Sequence, residues 1–139
     1  IIDLDTVMPG LSVNDFGDSI RFGANHCAED EKDLSKMYLD LDMFAAYTEG
    51  FLDGAAGSLT DAEIAYMPWG ARLMTLECGM RFLTDHLEGD TYFHIQREGQ
   101  NLDRCRTQFK LVADMEKHWD EMNEIVNRFR TGSKNTIVE

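Results

Sequence analysis

The sequence has 139 residues, enough for one domain with a core of its own. Its 26 acidic residues outnumber 13 basic ones, for a formal net charge of −13, which argues against nucleic acid or an anionic membrane surface as main partner. No apolar run approaches the roughly 18 residues that a membrane-spanning helix requires.

The chain opens Ile1-Ile2-Asp3-Leu4-Asp5-Thr6 and runs on to Pro9-Gly10. It has no initiator Met and no signal-peptide pattern, and it reads as the middle of a structural element. A C-terminal fragment of something longer is therefore expected. In a strand, side chains at i and i+2 share a face, so Asp3 and Asp5 would point together while Ile2 and Leu4 point into a core. Two carboxylates so placed repel unless water or a cation stands between them. Mg²⁺ suits the pair, because it takes one or two carboxylates and fills its shell with water and substrate phosphates. The bland alternative is a solvated edge strand entering a Pro-Gly turn. A DxD motif of metal-dependent sugar transferases also fits the pattern. A calcium loop does not, because Val7 and Met8 stand where it needs a polar residue and a glycine.

The segment after Gly10 predicts a short helix capped by Asn14 or Asp15 and carrying Ile20, Ala24 and Cys27, weakened by Gly17 and Gly23. Residues 28–33 are charged and expected to be exposed. Residues 37–41 alternate apolar and polar, as a short extended piece would. Asp40 or Asp42 then caps a helix whose stripe is Phe44, Tyr47, Thr48, Phe51, Leu52 and Ala55, closed by Gly54 and Gly57. Thr60-Asp61-Ala62-Glu63 is a capping box. It opens a helix to about Asp85 with Ile64, Met67, Ala71, Met74, Cys78 and Phe82 on its apolar face and a kink at Pro68. A polar loop follows, holding Tyr92, Phe93 and His94. Asn101 is expected to cap a last helix roughly 40 Å long, through Cys105, Val112, Met115, Trp119, Met122 and Phe129. Residues 131–139 read as a tail.

Cys27, Cys78 and Cys105 are odd in number and form no CxxC pair, and His26, His86, His94 and His118 do not join them at zinc spacing. Cys78 and Cys105 fall on apolar stripes, where a free thiol acts as a small hydrophobe. A reducing, cytoplasmic setting is the simplest fit. Asp15-Phe16-Gly17 matches a protein-kinase metal motif in letters only, since it opens a helix and no buried strand leads into it.

Ile1-Ile2-Asp3-Leu4-Asp5, followed by Asn14-Asp15-Phe16-Gly17-Asp18-Ser19-Ile20, resembles the C-terminal half of the aminoglycoside phosphotransferase and choline kinase superfamily. The second motif departs from the family pattern where Asn14-Asp15 replaces the usual Asp-Pro. The longer strings Asp3-Leu4-Asp5-Thr6-Val7-Met8-Pro9-Gly10, Ala46-Tyr47-Thr48-Glu49-Gly50-Phe51 and Met80-Arg81-Phe82-Leu83-Thr84-Asp85 resemble the N-acetylhexosamine 1-kinases. These phosphorylate the anomeric hydroxyl of N-acetylglucosamine or N-acetylgalactosamine with ATP.

The resemblance implies the mainly α, C-terminal lobe of a protein-kinase-like fold with a short N-terminal β strand or hairpin. Residues 1–13 would be the metal-site strand and turn, 14–130 the helical bundle and 131–139 the tail. It implies Asp3 as a Mg²⁺ ligand with Asp5 beside it, Asp18 as anchor of the catalytic loop, and Arg81 and Tyr92 as contacts to the sugar. Read without it, Arg81 would be a surface charge pairing with Asp85 one turn on. Trp69, His94 and Arg97 are candidate rim residues of the same pocket, with a core role favoured for Trp69. His118 and Trp119 read as structural. The nucleotide lobe, its phosphate-binding lysine and the catalytic loop do not appear, so this stretch alone is expected to be inactive.

The rival acceptors on the same fold are an aminoglycoside, choline or another small alcohol. A non-catalytic acidic helical interaction module is the rival of another class. An unpaired strand at residues 1–13 would also promote self-association.

Overall fold

The computed structural model describes residues 7–132. Six α-helices and one 3-10 turn make up the regular structure among those residues, and the protein is mainly helical. The expected N-terminal strand falls chiefly on residues 1–6, outside the described residues. Residues 7–11 form no strand or hairpin: the chain bends at Pro9 and is already helical at Ser12.

Helix α1 is Ser12–Gly23. It starts three to four residues earlier than expected, from an extended Leu11 with no side-chain cap, and Asn14 and Asp15 lie inside it. Phe16, Gly17 and Ile20 are buried. Gly17 and Gly23 do more than weaken the helix. A Cβ on Gly17 would strike the backbone of Gly70, and one on Gly23 would strike the Tyr47 ring.

The 3-10 turn Leu34–Lys36, capped by Asp33, leads into an extended piece in which Met37 and Leu39 are buried and Tyr38 faces out. That alternation follows the sequence pattern. Leu39 N–H donates to the carboxylate of Asp114 at 2.8 Å, a bond 75 residues apart in sequence.

Asp40 caps α2, Leu41–Ala55, by accepting from Met43 N–H at 2.9 Å. Phe44, Thr48 and Leu52 are its buried line. Gly54 stays helical, and Ala56 takes the left-handed position that ends it (φ 48°). The capping box opens α3, Asp61–Ala65, with Thr60 and Glu63 satisfying each other's backbone donors. Glu63 also accepts from Ser12 Oγ at 3.1 Å, which ties the start of α1 to α3.

Two helices expected to be continuous are each divided. Pro68 does not kink a long helix; the helix ends at Ala65, Tyr66 makes the joint, and α4, Met67–Leu87, starts afresh with the proline in its first turn. A proline lacks the N–H that the helix interior needs, and that loss costs nothing at a first turn. The last helix breaks at His118 into α5, Gln100–Lys117, and α6, Trp119–Gly132. Neither Gly nor Pro marks that joint. Trp119 packs edge-on against Trp69 there, with ring centroids 5.0 Å apart. Trp69 is thus no core residue: it is 48% exposed, and Arg72 lies over both indoles.

Helix α4 packs against α1 on one side and α5 on the other, and α6 closes over α2. Phe16, Ile20, Met37, Phe44, Met67, Leu111, Met115 and Met122 are fully buried between them. No helix among the described residues is long and apolar enough to cross a membrane.

Candidate functional site

The α1–α4–α5 packing leaves a cleft of about 490 Å³ along one flank of α4. Asp18 and Arg21 reach it from α1, Glu29 from the segment that follows, Cys78 and Arg81 from α4, His94 from the loop after α4, and Arg104 from α5.

Of residues 28–33, Ala28, Lys32 and Asp33 are exposed as the sequence suggests, but Glu29 and Asp30 are half-buried and engaged. Glu29 accepts from Arg21 Nη1 at 2.8 Å, and its other carboxylate oxygen lies 3.7 Å from Arg104 Nε. Thr107 Oγ1 donates to the Glu29 carbonyl, and Arg97 and Gln100 both donate to Asp30. Arg21 also donates to Asp18 at 2.8 Å. Asp18, expected as a loop anchor, sits on an exposed turn of α1 at the cleft mouth as this arginine's partner.

The loop between α4 and α5 hangs on one buried side chain. Asp85, near the end of α4, accepts backbone N–H groups from Thr91 (2.9 Å), Tyr92 (2.7 Å) and Phe93 (3.0 Å), and the Asn101 amide at 2.8 Å. Burial pushes this carboxyl up, but the Phe93, Tyr92 and Thr91 N–H groups and Asn101 outweigh it and hold the group below its usual range. Asn101 is therefore not the cap of α5. Gly99 takes that position, and the Asn101 amide bridges Asp85 and Asp90 instead. Arg104 adds a bond to the His94 carbonyl, and Gln100 accepts from Gln96 N–H.

This anchorage sets Tyr92 beside Arg81. The guanidinium Nη2 lies 3.5 Å from the Tyr92 hydroxyl, at the long end of hydrogen bonding, and its carbon sits 5.7 Å from the Tyr92 ring centroid and 5.4 Å from that of Phe93. Arg81 does not pair with Asp85, whose oxygens are taken; its nearest carboxylate is Glu77, 3.7 Å away. The Phe93 ring packs at a tilt against Phe82, and Arg104 lies over the Phe82 ring. A shallower depression of about 470 Å³ continues past Arg81 and Phe93 to Tyr92 and Glu88.

The site thus offers guanidinium donors, carboxylates and aromatic faces to a small polar ligand. Burial raises the Cys78 thiol above its ordinary range, against the pull of Arg21. Of the expected rim residues, His94 lines the cleft. Arg97 does not; it is locked to Asp103 at 2.7 Å and Asp30 at 3.2 Å. Asp3 and Asp5 lie outside the described residues. Among the described residues no group of three or more His, Cys, Asp or Glu side chains could hold a metal ion.

No protein-family model matches the chain.

Arg81 and Tyr92, the pair expected from the sequence, lie together in the structure. The sequence alone does not point to Arg21, Glu29, Asp85 or Arg104. Apart from Asp18, one turn before Arg21 on α1, the partners that place them lie across loops and helix crossings, where sequence spacing carries no signal.

Proposed function

We propose that this chain forms the acceptor-binding, helical part of an ATP-dependent small-molecule kinase of the aminoglycoside phosphotransferase and choline kinase type, with an N-acetylhexosamine as acceptor. The supporting observation is the Arg81–Tyr92 pair. The two residues that the resemblance assigns to the sugar are neighbours along the shallow depression beside the cleft, and the Asp85 anchor holds the Tyr92 backbone there. Within this reading Arg81 donates to ring hydroxyl or acetamide oxygens, Tyr92 and Phe93 offer ring faces, and the loop fixes their spacing. That is a positioning contribution to phosphoryl transfer. Asp3 and Asp5 remain the proposed Mg²⁺ ligands on sequence grounds alone, and the described residues contribute acceptor binding.

The test is ADP release with ATP and Mg²⁺ by the full protein to which this chain belongs. The acceptors are N-acetylglucosamine, N-acetylgalactosamine, an aminoglycoside and choline, with an Asp3→Asn version alongside. Turnover with an N-acetylhexosamine that Asp3→Asn abolishes is the expected result. Turnover with another acceptor alone would retire the sugar assignment. No turnover and no Mg²⁺-dependent ATP binding would leave the acidic interaction module as the better account.

A further inference from the structure

The cleft differs from the rest of the surface in its charge. Over the whole chain acids outnumber bases two to one, 26 against 13. The cleft lining instead holds three carboxylates, Asp18, Glu29 and Glu77, against three guanidiniums, Arg21, Arg81 and Arg104. Each carboxylate has a guanidinium within reach: Asp18 and Glu29 at 2.8 Å from Arg21, Glu29 at 3.7 Å from Arg104, and Glu77 at 3.7 Å from Arg81. The inner wall is the most enclosed part, with side-chain exposures of 13% for Arg21 and 18% for Arg104. Water screens those two charges less than it screens surface ones.

We propose that the Arg21–Glu29–Arg104 wall sets acceptor selectivity by charge balance, admitting a neutral hydroxyl- and amide-bearing sugar and disfavouring its cationic amino analogue, with Glu29 and Arg21 as the specificity-determining pair. The proposal rests on the reading of this cleft as the acceptor site. An ammonium group entering it finds each carboxylate already beside a guanidinium and meets two enclosed guanidiniums. An acetamide carbonyl in the same place accepts from them. Selectivity then comes from what the wall repels as much as from what it binds. The same arrangement counts against the polycationic antibiotics that the net charge of the whole chain would suggest.

The measurement is the dissociation constant of N-acetylglucosamine and of protonated glucosamine, by ligand-observed NMR titration of the full protein, with ADP release followed separately. The neutral sugar is expected to bind at least tenfold more tightly. Arg21→Gln, which releases Asp18 and Glu29 together, is expected to shift that ratio at least fivefold towards glucosamine. Glu29→Gln shifts it the other way, and the Arg21→Gln/Glu29→Gln double variant returns it close to the starting value. A damaged fold would not produce opposite shifts and a restoration. Should Arg21→Gln fail to fold, the Glu29→Gln arm decides alone. Equal binding of the two sugars, binding of neither, or a ratio unmoved in the folded variants overturns the proposal. Selective binding of the neutral sugar without ADP release refutes the kinase reading and leaves charge selection standing.

Discussion

Gly17 and Gly70 meet where α1 crosses α4, and neither has room for a methyl group. A Cβ on Gly17 would lie under 3.0 Å from the carbonyl oxygen of Gly70, and one on Gly70 equally close to that of Val13. Both obstacles are backbone, which cannot swing aside, so the helices would have to part. Gly70→Ala is expected to destabilise the protein by about 1–3 kcal/mol. Gly50→Ala is its control: it sits in α2 with open space around it and is expected to be neutral or to stabilise by up to about 1 kcal/mol. Urea midpoints at unchanged slope distinguish the two.

Asp85 makes loop order depend on pH. Its carboxyl titrates below the ordinary range because backbone and Asn101 N–H groups outweigh the effect of burial. Such a group contributes stability in full above its unfolded value of about 3.9, and the contribution disappears as pH falls through the lower folded value. Asp85→Asn turns an amide N–H₂ towards backbone donors. It is expected to lower the neutral-pH Tm by roughly 5 °C and to flatten the acid limb of Tm against pH. Hydrogen exchange at Thr91, Tyr92 and Phe93 should quicken at the same time. Unchanged exchange there would remove Asp85 as the anchor.

Asp114 is the buried acceptor for Leu39 N–H, and Lys110 and Lys117 lie 3.6 and 3.8 Å from its other oxygen. Asp114→Ala strands a backbone donor inside the core and is expected to cost about 1–3 kcal/mol. The loss should be as large at high salt as at low, since the missing bond is enclosed. A loss that salt removes would assign the effect to the two lysines instead.

Arg81 and Tyr92 are largely exposed, and their replacement by Ala should leave stability within about 0.5 kcal/mol of the parent. Under the proposed function each weakens the acceptor at least tenfold, about 1.4 kcal/mol, in KM more than in kcat. Unaltered KM in both would place the acceptor elsewhere.

Much of the helical content was legible because its signals are local. The Thr60–Glu63 box, the Asp40 cap and the Phe44–Thr48–Leu52 line each lie within a few residues, where spacing maps directly onto helix geometry. The breaks at Tyr66 and His118 were not. Pro68 is as compatible with a kink as with a new start, and His118 carries no breaker, only a tryptophan whose partner is 50 positions away. The cleft was least legible of all. Asp85 looks like an ordinary acid near a helix end until the loop folds back onto it. Glu29 sits in a charged run whose partners, Arg21 and Arg104, come from two different helices.

Asp85 grips the loop by its main chain. The three N–H groups it accepts belong to Thr91, Tyr92 and Phe93, but any amino acid except proline could supply them. The side chains of these three residues are therefore uncoupled from the means of attachment. Under the proposed function, residues 91–93 form an exchangeable cassette whose chemistry can be rewritten for a new acceptor while its mounting stays the same. Relatives that act on different small molecules should keep the carboxylate at this position, avoid proline opposite it, and differ freely in what the loop presents.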